Sequence, residues 1–493
     1  MLIGAGITSG NLLHCNFYKR LHPIMPILGL ICSMKFKQLL ILATTGLAAL
    51  TAHAQQTAIS KQVTEAMPAA SADQIKADIT YLADDKLLGR QPGTPGFQMA
   101  GDYVISRLKS FNVAPAGDNG GWLQKVVLRK AYTLPGAQFS ITSKGHDESL
   151  SYGTDASIYP NPVLKQESIE AFMVFAGFGI TNSEQHYDDY KGLDVKGKVV
   201  VVVRGAPSNF PSSVVSHSMD LITIQKNAAA HGATGVVIAL ADSNARVPNL
   251  GRNGIYSAVD ANGNIVVSRS YASSQIQLLA AINYKTADRL FTGAGKSFPA
   301  IIAGIKAGEA QSFQLNAQVK ASCQSAVTDV NSFNVVGKIT GSDPVLKNEY
   351  VVHSAHLDHL GVGRPVQGDS IYNGAHDNAS GVASLLQIAN IYSHLKVKPK
   401  RSILIVMVTG EELGDIGSGY FAHKPTVPVK SMVADVNTDM PTIIAPLLSV
   451  TALGAEHSSL INQVNEAASY LNLGVEPDPE PCLLYTSPSP RDS

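Results

Sequence analysis

From Asn334 onward the chain alternates short apolar runs with helical segments, and the runs repeatedly end in ionisable groups. "FNVVGKI", "EYVVHSAHL", "RSILIVMVTG" and "SMVADVNTDM" have the composition of strands, whereas "SGVASLLQIANIYSHL" and the stretch around "HSSLINQVNEAASYL" have helical periodicity. This rhythm predicts an α/β fold with a mixed, largely parallel sheet flanked by helices. In sheets of that class ligands bind at the carboxyl ends of the strands, so the chemistry should lie there.

The strand ends are where the charge is. His356 and Asp358 follow "YVVHSA", Glu411 and Glu412 follow "RSILIVMVTG", and Asp439 follows "SMVADVNT". Between the first two, "YNGAHDNASG" sets Asp377 just ahead of a helix predicted to begin near Ser380. Carboxylates and imidazoles are the ligands zinc takes, and a catalytic zinc keeps one position open. Asp358, two residues after His356, is placed to hold that imidazole's second nitrogen and fix its tautomer. Adjacent Glu411 and Glu412 point differently, so one can bind metal while the other serves as a base. Taken singly, each motif is ordinary: a surface turn, a solvated pair, a helix cap. Their order and their common place at strand ends point to a metal site.

The remaining histidines carry less. His353 and His359 lie an odd number of residues from His356 and are expected to face away from it, and His376 to be exposed or to support its neighbours. His186, His217 and His231 belong to no constellation. No G-x-S-x-G elbow, P-loop or dinucleotide fingerprint occurs in a suitable context, and nothing around Cys323 marks a nucleophile.

Upstream, Ser71–Gln74 forms a capping box followed by Ile75, Ile79 and Leu82, and Thr94-Pro95 opens a helix with Phe97, Ala100, Val104, Leu108 and Phe111 on one face. From about 160 to 308 the texture changes to β-branched runs such as "FMVFAGFGI", "GKVVVVVRG" and "GATGVVIAL", which suggests a compact module inserted into a larger domain. Lysine plus arginine equals aspartate plus glutamate at 38 each, so nothing points to nucleic acid. "MKFKQLLILATTGLAALTAHAQQ" from Met34 has the layout of a secretory signal peptide (34–54) cleaved after Ala54, which makes 1–33 an expected untranslated extension and places the mature protein outside the cytoplasm or in the periplasm. No later stretch reaches the roughly 20 apolar residues of a membrane span. Cys15 and Cys32 precede the cleavage point and Cys482 lies near the end, so no disulfide framework is expected.

"SAHLDHLG", "DSIYNGAHDNASG", "VTGEELGDIGSGYF" and "NTDM" resemble the successive motifs of the co-catalytic zinc exopeptidases, the family of secreted bacterial aminopeptidases, glutamate carboxypeptidase and the transferrin receptor ectodomain. "YLADDKLLGRQPGTPG" and the inserted module resemble the branch with a protease-associated domain. The resemblance implies a peptidase domain over 55–159 and 309–481 with a β-rich protease-associated domain at 160–308. It implies one zinc on His356, Asp377 and Asp439, with Asp377 bridging to a second zinc on Glu412, Glu411 as general base, Asp358 orienting His356, and a cis peptide after Asp377. Peptides are the implied substrates and aminopeptidase activity the leading expectation; a carboxypeptidase or a non-catalytic binding protein on the same fold are the alternatives. The sequence departs from the family in having His376 where aspartate is usual, and in "CLLYTSPSPRDS" after Pro481, which lacks the family's final histidine ligand. Residues 482–493 are therefore expected to be a foreign tail, and the second zinc to keep only Asp377 and Glu412.

Overall fold

The computed structural model describes residues 59–441 and 446–477. The expected extension at 1–33, the signal peptide with its cleavage after Ala54, and the tail at 482–493 lie outside the described residues.

Two capped helices follow a short helix at Lys61–Ala66. In α1 (Ala72–Leu82) Ser71 Oγ accepts from Gln74 N at 3.3 Å, and in α2 (Pro95–Ser110) Thr94 Oγ1 accepts from Phe97 N at 3.3 Å with Pro95 in the first turn. Side-chain acceptors at these positions satisfy amides that have no partner within the helix. The buried face of α2 is the expected one, Phe97, Ala100, Val104 and Leu108.

After β1 (Leu123–Thr133) the chain builds a second sheet. Its central strands are β2 (Gln166–Ala176), β3 (Val199–Val202), then, across α3 (Leu221–Ala230), β4 (Gly235–Ala239) and β5 (Leu278–Ile282). Neighbours in the order β2, β3, β4, β5 are parallel. Every residue of β3 and β4 is buried, which is why these runs are continuously apolar instead of alternating. The core of this sheet gathers Phe139, Ile141 and Ile158 as well as Met173, Phe175, Phe291, Val319 and Cys323.

One strand joins the two halves. β6 (Ser312–Ile339) pairs antiparallel with β2 over its first half and with β1 over Ser325–Val335. Beyond it come β7 (Tyr350–His356), α4 (Gly381–Ser393), β8 (Ser402–Val408), α5 (Ile416–His423) and β9 (Met432–Asn437). β6 meets β8 antiparallel, whereas β7 lies between β8 and β9 and is parallel to both. The sheet is thus mixed, and its parallel part brings three carboxyl ends side by side. Helices α2 and α4 cover one face through Phe97, Leu108, Leu385 and Leu386, packed on Phe333, Val335, Ile405 and Met407. Burying side chains of this size contributes about 1.5–3 kcal/mol each.

Among the described residues Cys323 is the one cysteine, buried and unpaired, and burial pushes its thiol up to about 12. Beside it Glu167 accepts from Asn161 Nδ2 at 2.7 Å, yet burial raises its carboxyl to about 7 against the opposing hydrogen bond. A carboxyl raised in the folded state stabilises the fold below its unfolded pKa, and that stability is lost as pH rises through the folded value. Glu167→Gln, which keeps the acceptor for Asn161, is expected to flatten the decline in stability between about pH 4.5 and about 7. At pH 8 it should gain on the order of 1–3 kcal/mol over the wild type, read by urea unfolding at each pH.

Candidate metal centre

β7 ends at His356, and main-chain bonds tie its end to both neighbours. Leu357 N donates to Val408 O at 2.8 Å on the β8 side, and Thr438 N donates to Ser354 O at 2.8 Å on the β9 side. The residues that follow the three strands are therefore held next to each other: His356 in the middle, Glu411 and Glu412 on one flank, Asp439 on the other. Asp377 enters from the loop before α4. Fully buried Asn378 staples that loop to the end of β9, donating from Nδ2 to Thr438 O at 3.0 Å and accepting from Met440 N at 3.2 Å and Gly381 N at 2.9 Å. Position 381 must be glycine here, because a Cβ would collide with Asn378 Oδ1 and Thr438 O. The peptide between Asp377 and Asn378 is cis, as the resemblance implied.

His356, Asp377 and Asp439 each place a ligand atom within 4.8 Å of the others, and so do His359, Asp377 and Glu412. Asp377 belongs to both groups. His356 Nε2 stands 3.1 Å from Asp377 Oδ1 and 3.3 Å from Asp439 Oδ1. Atoms bonded at 2.0–2.1 Å to a tetrahedral zinc lie about 3.3 Å apart, so this spacing is that of ligands around one ion. His356 Nε2 and His359 Nδ1 are both buried and make no aligned hydrogen bond, although Glu412 Oε1 stands 2.6 Å from the latter. Buried imidazole nitrogens without a bonded partner are costly unless something takes their lone pairs. The donor set of imidazole and carboxylate fits zinc.

The charge balance agrees. Burial opposes a proton on His356, but Asp358, Asp377 and Asp439 outweigh it and hold the imidazole well above its ordinary range. The centre demands a cation. Glu411, whose Oε2 lies 3.9 Å from His356 Nε2, is raised to about 8 by burial, with His356 opposing and Asp415, Asp358 and Glu412 adding to the rise. His356 and Glu412 are almost fully covered, whereas the side chains of Asp377, Asp439 and Glu411 are 30%, 33% and 36% exposed, which leaves one side open to a ligand.

Asp358 does more than the spacing suggested. His356 Nδ1 lies 3.2 Å from the main-chain oxygen of Asp358 and 3.8 Å from its carboxylate. The carboxylate itself accepts from Glu411 N at 3.2 Å and Glu412 N at 3.4 Å, fastening the end of β8 to the end of β7. His359, expected to face away from the centre, lies beside Glu412 instead. Strand alternation no longer holds past the end of β7, so the imidazole turns toward Glu412. His353, inside the strand, does face the other way, onto Tyr392 Oη at 3.1 Å, and exposed His376 meets Met440 O at 3.2 Å.

Residues 334–488 match Peptidase family M28, and residues 169–268 match the PA domain. Over residues 334–488 the chain thus has the sequence of an M28 peptidase domain, and over 169–268 that of a PA domain. Over 118 residues it is 36% identical to Carboxypeptidase Q of Mus musculus, a stretch that covers 23% of each chain. Over 114 residues it is 36% identical to a "Probable zinc metalloprotease" of Pyrenophora teres f. teres, covering 22% of this chain and 23% of the relative. The matched region thus spans about a quarter of the length of these curated relatives. Among solved structures, an aminopeptidase from Aneurinibacillus sp. strain AM-1 aligns over 84% of this chain and 86% of its own at 17% identity, with a TM-score of 0.43.

Asp358 holds the amides of Glu411 and Glu412, so its removal should loosen this flank of the candidate centre without removing a residue of either ligand group. Asp358→Ala is expected to weaken zinc retention roughly 10–100-fold, measured by competition with a chromophoric chelator, with the far-UV circular dichroism preserved.

Proposed function

We propose that this chain is a zinc-dependent exopeptidase whose leading activity is removal of N-terminal residues from peptides. The observation that carries the reading is the orphaned Nε2 of His356, set at ion-sharing distance from Asp377 and Asp439 and within reach of Glu411. His356, Asp377 and Asp439 would hold one zinc. Asp377 and Glu412 would hold the second, with His359 as the nitrogen ligand that completes that group. When bound, such ions polarise the scissile carbonyl and make a water nucleophilic near neutral pH.

The protein's own groups divide the remaining work. Glu411 takes the proton of the attacking water and returns it to the leaving amine, a role suited to a carboxylate 3.9 Å from His356 Nε2 on the open side of the centre. Asp358 holds Glu411 in place through its amide. An acidic entrance favours an α-ammonium over a free carboxylate: Asp439 is 33% exposed on the open side, and the cation of Arg269 is paired with Asp415 at 2.8 Å. A carboxypeptidase is the second reading, favoured by the likeness to Carboxypeptidase Q.

We also propose that the module expected at 160–308 serves as a protease-associated domain inserted in the peptidase domain, supported by the match at 169–268 and by a hydrophobic core of its own there. Export is supported by the signal-like layout of 34–54, and no helix among the described residues is long and apolar enough to cross a membrane.

Glu411→Gln should reduce kcat about 10²–10⁴-fold while zinc content stays at the wild-type level. Full activity in that variant would remove Glu411 from the mechanism. On one peptide supplied with free or acetylated N-terminus, only the free form should be cleaved; cleavage of the acetylated form from its carboxyl end would establish the second reading.

A further inference from the structure

Arg90 lies far ahead of every ligand motif, yet it is 1% exposed and sits beneath the metal centre. Its guanidinium donates four hydrogen bonds, each to a main-chain carbonyl. Nε donates to Leu357 O at 3.0 Å, Nη1 to Leu82 O at 2.5 Å and to Asn373 O at 2.6 Å, and Nη2 to Gly374 O at 3.1 Å. Leu357 stands between His356 and Asp358, whereas Asn373 and Gly374 lead into Asp377. One side chain therefore grips both ligand-bearing loops.

The grip is reciprocated. His359 N donates to Arg90 O at 3.3 Å, and Asn373 Nδ2 donates back to Ala83 O at 2.8 Å and Asp85 Oδ1 at 2.7 Å. To aim the guanidinium, Leu88, Gly89 and Arg90 adopt positive φ in succession, 47°, 68° and 50°. That conformation is unfavourable for leucine and arginine and persists only where the surroundings impose it. Leu88 leaves its side chain 53% exposed, so its own burial is not the reason. At Gly89 a Cβ would come within 2.7 Å of Gly361 O, so the segment is wedged against the loop that follows His359.

We infer that Arg90, answered by Asn373, is a clamp that sets the distance between the His356–His359 loop and the Asp377 loop, and is a positioning residue for the metal centre. Arginine suits the task because its fork fixes several acceptors at once and stays charged. Its cation also lies close enough to Asp358, Asp377 and Glu412 to be stabilised by them against burial, which adds positive charge to a centre crowded with carboxylates. A clamp predicts that ion affinity depends on Arg90 even in protein that is fully folded. A staple that only holds the core predicts a lower Tm and an unchanged affinity.

The inference rests on the metallopeptidase reading, and the experiment separates the two. The full chain, Arg90→Lys and Asn373→Ala are each titrated with zinc in competition with a chelator and loaded with Co²⁺ for visible spectra, below their unfolding midpoints and with folding verified by circular dichroism. Arg90→Lys is expected to bind zinc roughly 10–100-fold more weakly and to show altered cobalt bands, with Asn373→Ala shifted in the same direction by a smaller factor. Wild-type affinity and spectra in the folded variants would overturn the clamp, whatever happens to Tm. If Arg90→Lys does not fold, Asn373→Ala decides by the same readout. If the wild type itself binds no zinc, the metallopeptidase reading fails and the clamp fails with it.

Discussion

Carboxylates crowded around one buried imidazole set the terms for everything near them. Asp358, Asp377, Glu411, Glu412 and Asp439 converge on His356 where three parallel strands stop. Like charges removed from water repel, and burial penalises each of them, so the arrangement is tolerable only with positive charge in its midst. The protein meets part of that demand with Arg90 below. The rest matches a divalent ion, for which the spacing and the unbonded imidazole nitrogens are already in place.

That crowding explains why the site is framed by main-chain and amide hydrogen bonds instead of by the ligands themselves. Asn378 fastens the Asp377 loop to β9, the Asp358 carboxylate fastens β8 to β7, and Arg90 fastens the first two ligand loops to each other. Farther out, β6 carries the geometry into the second sheet, since the same strand pairs with β2 at one end and with β8 at the other. The PA domain is thereby continuous with the peptidase sheet through hydrogen-bonded backbone.

Much of this was legible in the residues. The strands of the parallel part were visible as apolar runs, the caps at Ser71 and Thr94 as side-chain acceptors before helical periodicity, and the centre as charge placed at strand ends. Three things were not. The place of His359 is hidden because alternation fails once β7 ends at His356, a boundary that local sequence does not mark. Arg90 could not be read, because its partners are backbone carbonyls brought together from distant loops. The length of β6 was hidden too: its first half alternates small residues such as Ala317, Ala321 and Cys323 with polar ones, a weak pattern that only pairing on both sides turns into a strand.

The central claim is that the ends of β7, β8 and β9 with the loop at Asp377 form a divalent metal site. The most direct measurement is an anomalous difference map, recorded at the zinc edge, from crystals of the zinc-loaded protein. The account requires a peak within bonding distance of His356 Nε2, Asp377 and Asp439, with any second peak between Asp377 and Glu412. Well-ordered crystals with no anomalous peak at those residues, or with zinc bound only elsewhere, would contradict it.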